Sequence, residues 1–268
     1  MTEQAPHLLH ILRIDSKGLR ARVEVNGFEI FSEPNAKERL LETKLNHLVV
    51  VGENDLVVKL GPPLDDELKP QTPAGHFRIL YMVAEHGKAV PPDALRSSWK
   101  WPSTEPEVKL ELAPLIPAWA TAFDVPAAEG YGRWAWQDAP EVELTTAERS
   151  AISDLVTEVR ETLANRDVAG LRRLVRLKHQ ELSRALDVPF ANVDSEFGRA
   201  YGELFQDPTG VMDPVVPISL LLRPVGRGRA LHVTTQSGGP PITGTWNKQP
   251  FRFGLTVSKI NDQWTIVR

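Results

Sequence analysis

Apolar and polar residues alternate with a period of two at both ends of this chain and with a period near 3.6 between them. Residues 7–14 predict a first strand. Leu19, Ala21, Val23 and Val25 then alternate with Arg20, Arg22 and Glu24, and Asn26-Gly27 follows, a strong signal for a two-residue hairpin turn. Phe28–Phe31 is the return strand, and the charged passage 33–44 reads as a loop or short helix. Leu45–Leu60 places two apolar runs about Gly52-Glu-Asn-Asp55, a strand–turn–strand pattern. Phe77–Val83, Glu107–Leu112 and Tyr131–Trp136 predict further strands. Together these give an all-β sandwich over 1–140.

The period changes at Leu144. Thr145 and Glu148 have the spacing of a capping box, and Ile152, Leu155, Val156, Val159 and Leu163 form one helical stripe. Asp167 caps a second helix, whose apolar positions run from Val168 to Leu186 before Pro189 stops it. A third helix, Asp194–Phe205, carries Phe197, Tyr201, Leu204 and Phe205 on one side. Strands return at Pro217–Leu222, Arg229–Thr235 and Thr243–Trp246. The chain closes on Phe251–Arg268, where Asn261-Asp262 makes a tight turn. That turn sets Ile260 opposite Gln263, Lys259 opposite Trp264 and Val257 opposite Ile266. Phe251, Phe253, Leu255, Val257, Trp264 and Ile266 then share one face. The expected fold class is α+β: an all-β sandwich over 1–140, then an α+β domain over 145–268 with about three helices packed on a curved antiparallel sheet. The boundary falls near 138–144.

Two stretches carry resemblances. Leu45–Leu60 resembles small β-sandwich modules found beside glycosidase and other bacterial domains, which implies a sandwich and no site. Leu255-Thr-Val-Ser-Lys-Ile-Asn-Asp-Gln-Trp-Thr-Ile-Val267, following helices and antiparallel strands, resembles the closing hairpin of the nuclear transport factor 2-like superfamily. That likeness extends over 145–268 at most and implies a sheet wrapped about helices, leaving a conical pocket. Members include isomerases, dehydratases and cyclases, and many only bind a small molecule, a partner chain or themselves, so the fold narrows function little. The long charged second helix and the proline-containing Val215-Val216-Pro217 depart from the pattern.

Composition narrows the chemistry by exclusion. The chain has 268 residues, a net charge of -4 and no cysteine, so disulfides, thiolate metal sites and cysteine nucleophiles are absent. A cytoplasmic protein is expected, because the N-terminal stretch lacks a signal-peptide pattern and no apolar run is long enough for a membrane-spanning helix. No nucleic-acid partner is expected. Arg172, Arg173, Arg176 and Lys178 are the densest basic run, and a solvated helix face accounts for them better than a phosphate site does. Asp65-Asp-Glu67 lacks the alternating ligands of a calcium loop. The seven histidines lack the i, i+4 spacing of a zinc helix, and His179 and Glu181 are two apart on a helix, so they do not face one another. No phosphate loop or nucleophile elbow is present, so no cofactor, metal or catalytic residue is assigned.

Tryptophans are the remaining signal. Trp99 and Trp101 fall in a loop rich in Ser, Pro and Lys, and Trp134 and Trp136 alternate on a strand. Exposed, they would anchor a partner; buried, they would fill the sandwich core. His232, Tyr201 and Trp246 are the expected lining of the conical pocket, with His232 as an acid or base beside Tyr201 or Asp194. The preferred expectation is a non-enzymatic, two-domain protein-binding module with another protein as partner, for example a bacterial accessory or immunity protein. A small-molecule binder or enzyme using the cone, and a self-assembling homodimer, are the rivals.

Overall fold

The computed structural model describes residues 7–65, 67, 69–102, 115–127, 129 and 131–268. They form a mixed α+β structure with exclusively antiparallel strand pairing, in two compact units that part between Gly132 and Arg133.

The first unit contains β1 (Leu8–Lys17), β2 (Arg20–Val25), β3 (Phe28–Glu33), β4 (Arg39–Lys44), β5 (Gly52–Gly61), β6 (His76–Glu85), β7 (Leu95–Trp101) and β8 (Ile116–Val125). They make two four-stranded sheets, ordered β4-β1-β6-β7 and β3-β2-β5-β8. The Asn26-Gly27 hairpin forms as its residues require, with both at positive φ (51° and 80°). The two sheets touch through aromatic rings. Trp99 on β7 stacks on Trp119 of β8 at 5.8 Å, and Tyr81 on β6 meets Phe123 of β8 at 4.4 Å.

Several expectations change here. Part of the charged passage 33–44 is the edge strand β4, paired only to β1 among the described residues. Its polarity suits an edge, where charged side chains face water and discourage further pairing. Gly52-Glu-Asn-Asp55 is no turn but the start of β5. The apolar run before it is coiled, because the buried Asn54 amide bonds to Val50 N, Val50 O and Gly52 O in place of a strand partner. Trp99 and Trp101 lie on a strand opposite Ile79 and Phe77, not in a loop. Tyr131–Trp136 is no strand: Trp134 caps a short 3-10 turn, Ala135–Asp138, in the second unit. The Gln137 side chain accepts from Trp134 N–H and closes that turn. The expected strand Glu107–Leu112 lies outside the described residues.

The second unit begins with four helices among the described residues: α1 (Thr146–Ala164), α2 (Val168–Leu174), α3 (Arg176–Leu186) and α4 (Phe190–Leu204). Thr145 caps α1 by accepting from Glu148 N–H. The Glu148 carboxylate does not reach back to complete a capping box; it accepts from Lys259 and from Trp264 Nε1. The expected long second helix is two helices, broken at Val175 (φ -96°, ψ 9°). The third expected helix starts earlier, directly after Pro189, whose ring leaves the following turn free to begin.

Strands β9 (Val211–Met212), β10 (Leu220–Val225), β11 (Ala230–Thr235), β12 (Ile242–Trp246), β13 (Gln249–Phe253), β14 (Leu255–Ile260) and β15 (Gln263–Ile266) follow. They form one sheet ordered β10-β11-β14-β15 and another ordered β13-β12-β9. The closing turn has Asn261 and Asp262 at positive φ, and its register pairs Val257 with Ile266, Lys259 with Trp264 and Ile260 with Gln263. Phe251 and Phe253 do not continue that hairpin. The chain changes sheets at Gly254, and β13 pairs with β12 instead.

The core of this unit joins the α1 stripe, Ile152, Val156, Val159 and Leu163, to Leu231, Val233, Leu255, Val257 and Ile266 of the larger sheet. Among the described residues no helix is long and apolar enough to cross a membrane.

Candidate functional site

The four tryptophans, which would anchor a partner if exposed and fill a core if buried, are largely withdrawn from the surface. Trp99, Trp134 and Trp136 are buried, and Trp101 is half-buried. Large flat rings bury the most apolar area per residue, and here they are spent on packing. Trp99 sits between Trp119 and Phe77. Trp134 is wholly buried, with the guanidiniums of Arg184 and Arg268 at 4.4 and 5.4 Å from its ring.

The expected cone lining stays together only in part: His232 is apart from the other two. Tyr201 and Trp246 join one aromatic cluster with Phe205, Phe251 and Phe253. Burial there pushes the Tyr201 hydroxyl up to about 12. Gly210 lets the chain pass flat against the Trp246 indole, because a Cβ would lie 2.1 Å from its Nε1. His232 is on the opposite face of its strand from Leu231 and Val233, which enter the core, and its Nδ1 is 3.2 Å from Thr256 Oγ1. Neither Tyr201 nor Asp194 is its partner.

Asp194 instead holds His179. Oδ1 of Asp194 is 3.2 Å from His179 Nδ1, while Oδ2 accepts from Arg172 Nε at 2.8 Å and from its Nη2. The Arg172 guanidinium holds the Asp194 carboxyl below the usual carboxylate range. Burial pushes His179 below its ordinary value against the opposing pull of Asp194. His179 is 3 % exposed, and the edge of its ring meets Phe197 at 4.5 Å. Among the described residues its Nε2 has no hydrogen-bond partner in the protein. The ring lines a cavity of about 400 Å³ between α3 and α4. Sequence spacing alone hid this group, since His179 and Asp194 are on different helices, and only the packing of α3 on α4 brings them together.

A second feature is on the surface. Ile218 is 91 % exposed, with Val216 and Leu221 also exposed beside it. Pro217, Ile218, Leu220 and Leu222 form one wall of a groove of about 460 Å³, and Thr146, Arg149, Ser150, Ser153 and Asp154 of α1 form the other. The adjoining β10 is an edge strand, paired only to β11 among the described residues. Pro224, which has no N–H to give, is tolerated there for that reason.

Asp65 is a local brace: its carboxylate accepts from the backbone N–H groups of Glu67 and Lys69 and from the Gln71 amide. Among the described residues no three His, Asp or Glu side chains gather as a metal site.

Comparison of the chain with protein-family models, with curated proteins and with solved structures finds no match.

Proposed function

We propose that this chain is a non-enzymatic binding protein that captures an extended apolar segment of another protein along β10. The observation that carries the reading is Ile218, almost fully exposed at the mouth of a groove and beside a strand edge that pairs only with β11 among the described residues. An exposed apolar residue is unremarkable alone. Three in six residues, next to a strand edge that pairs no further strand among the described residues, suit addition of a strand: the outward-facing N–H of Leu222 and the carbonyls beside it supply affinity, and alternate side chains fill the groove. The hydroxyls of Thr146, Ser150 and Ser153, with Arg149 and Asp154 of opposite charge, favour a segment of low net charge.

In this reading the first unit is a β-sandwich and the second a cone-type α+β domain of the nuclear transport factor 2-like kind. The facing rings of Trp99 and Trp119 support the former, and α1 laid on the sheet that ends in β14 and β15 supports the latter. The protein is placed as a cytoplasmic accessory protein, in keeping with the absence of cysteine.

The test compares the wild type with the double variant Ile218→Asp, Leu221→Asp in affinity capture from the source cell. Both positions are exposed, so folding is expected to change by less than about 0.5 kcal/mol. Burying each apolar side chain contributes about 1.5–3 kcal/mol, so the variant should bind the captured protein at least about tenfold more weakly. Retention of the same partner by both proteins contradicts the reading. A wild-type dimer in sedimentation that the variant dissolves would make the partner a second copy of the chain.

A further inference from the structure

The cavity between α3 and α4 is a second candidate site of a different kind. Its walls are Leu182 and Leu186, one turn apart on α3, with Val188, Val193 and Phe197, and all five are only half-buried. At about 400 Å³ it falls within the range of small-molecule pockets, roughly 300–1,000 Å³. Most of its lining is apolar, and the deepest polar group is His179.

The protonation pattern of that imidazole follows from its partners. Arg172 on Asp194 Oδ2 keeps the carboxylate ionised, so Oδ1 accepts and His179 Nδ1–H donates. Nε2 of the neutral ring then carries a lone pair, and no described residue supplies a donor to it. Nε2 opens onto the cavity, so an occupant that covers it without a donor leaves a buried acceptor unpaired, at a cost of about 1–3 kcal/mol, and one that brings a donor is favoured. Lys178 and Glu196, also at the cavity, carry opposite charges and give no net preference for an ion.

We infer that this cavity binds a small neutral molecule with an apolar body and one hydroxyl, a phenol or alcohol, which donates its O–H to His179 Nε2. Asp194 and Arg172 are positioning residues that fix the ring tautomer.

The experiment titrates the full chain with 4-ethylphenol and with 4-ethylanisole, its methyl ether, while following the imidazole nitrogens by NMR. The two probes share an apolar body, and only the first has a donor. The expected result is a free protein with the proton on Nδ1, a shift of His179 Nε2 on addition of the phenol, and about tenfold weaker binding of the ether. Leu186→Trp, which fills the cavity and leaves the His179–Asp194 pair in place, should abolish the phenol response. Asp194→Asn should bring the two probes to within about twofold of each other. Equal binding of both probes to the wild type overturns the inference, as does the absence of any response at millimolar phenol, a free protein with the proton on Nε2, or a phenol response unchanged in Leu186→Trp. The surface reading of β10 is untouched by any of these outcomes, because the two sites share no residue.

Discussion

Lowering the pH from 7 to 4 is expected to remove about 3 kcal/mol from the stability of the first unit through one side chain, His10. It is wholly buried on β1, and burial pushes its pKa from 6.5 down to about 4. The carbonyl of Glu129 can only accept, so Nε2–H donates to it at 3.5 Å and Nδ1 accepts the Tyr81 hydroxyl at 2.7 Å. The neutral ring is thus the form that fits. Arg96 adds to the depression, while the Glu129 contact opposes it; Tyr131 presents only an uncharged ring edge. The unfolded chain binds the proton near pH 6.5 and the folded one near 4. Stability is therefore full above 6.5 and falls as the pH drops through that window, by about 1.4 kcal/mol per pH unit. Urea unfolding of the wild type and of His10→Gln at several pH values isolates this group, since other titrations cancel in the difference. The gap between the two proteins should narrow by about 3 kcal/mol from pH 7 to 4. A gap that does not change with pH contradicts the assignment.

Glu181→Ala is expected to destabilise the second unit by about 3–5 kcal/mol. Glu181 and Arg268 are both almost fully buried, and Oε2 is 2.5 Å from Arg268 Nη1. Oε1 accepts from Ala135 N–H at 2.6 Å, so one carboxylate ties α3, the closing residue and the 3-10 turn at Trp134 together. Removing it leaves a buried guanidinium beside Lys178, whose ammonium burial and Arg268 already hold below its usual range. Glu181→Gln keeps the shape and the acceptor for Ala135, and should lose less. Denaturant unfolding followed by circular dichroism gives both values. A loss below about 0.5 kcal/mol for Glu181→Ala would show that the pair is compensated elsewhere.

Local pattern was legible wherever a local rule decides the outcome. Asn26-Gly27 and Asn261-Asp262 made their turns, and the register of β14 on β15 follows from the second of them. The stripe on α1 entered the core as its spacing required. What failed depended on long-range partners. The break at Val175, the change of sheet at Gly254 and the edge pairing of β4 each respond to neighbours distant in sequence. Strand β8, with Pro117 and alternating alanines, gave no apolar run to read. The tryptophans stayed undecided for a related reason: sequence shows that a ring is present but not whether another group lies over it. His179 was dismissed against its sequence neighbour Glu181, yet α3 turns the two toward different groups. Glu181 meets Arg268, and His179 meets Asp194 fifteen residues on.

The central claim, that β10 receives a partner strand, is tested most directly by backbone amide hydrogen exchange of the chain with and without the captured partner. The account predicts slowed exchange at Leu222, whose N–H faces away from β11, with little change on β11. Protection that appears elsewhere and leaves 216–223 unaltered would contradict it.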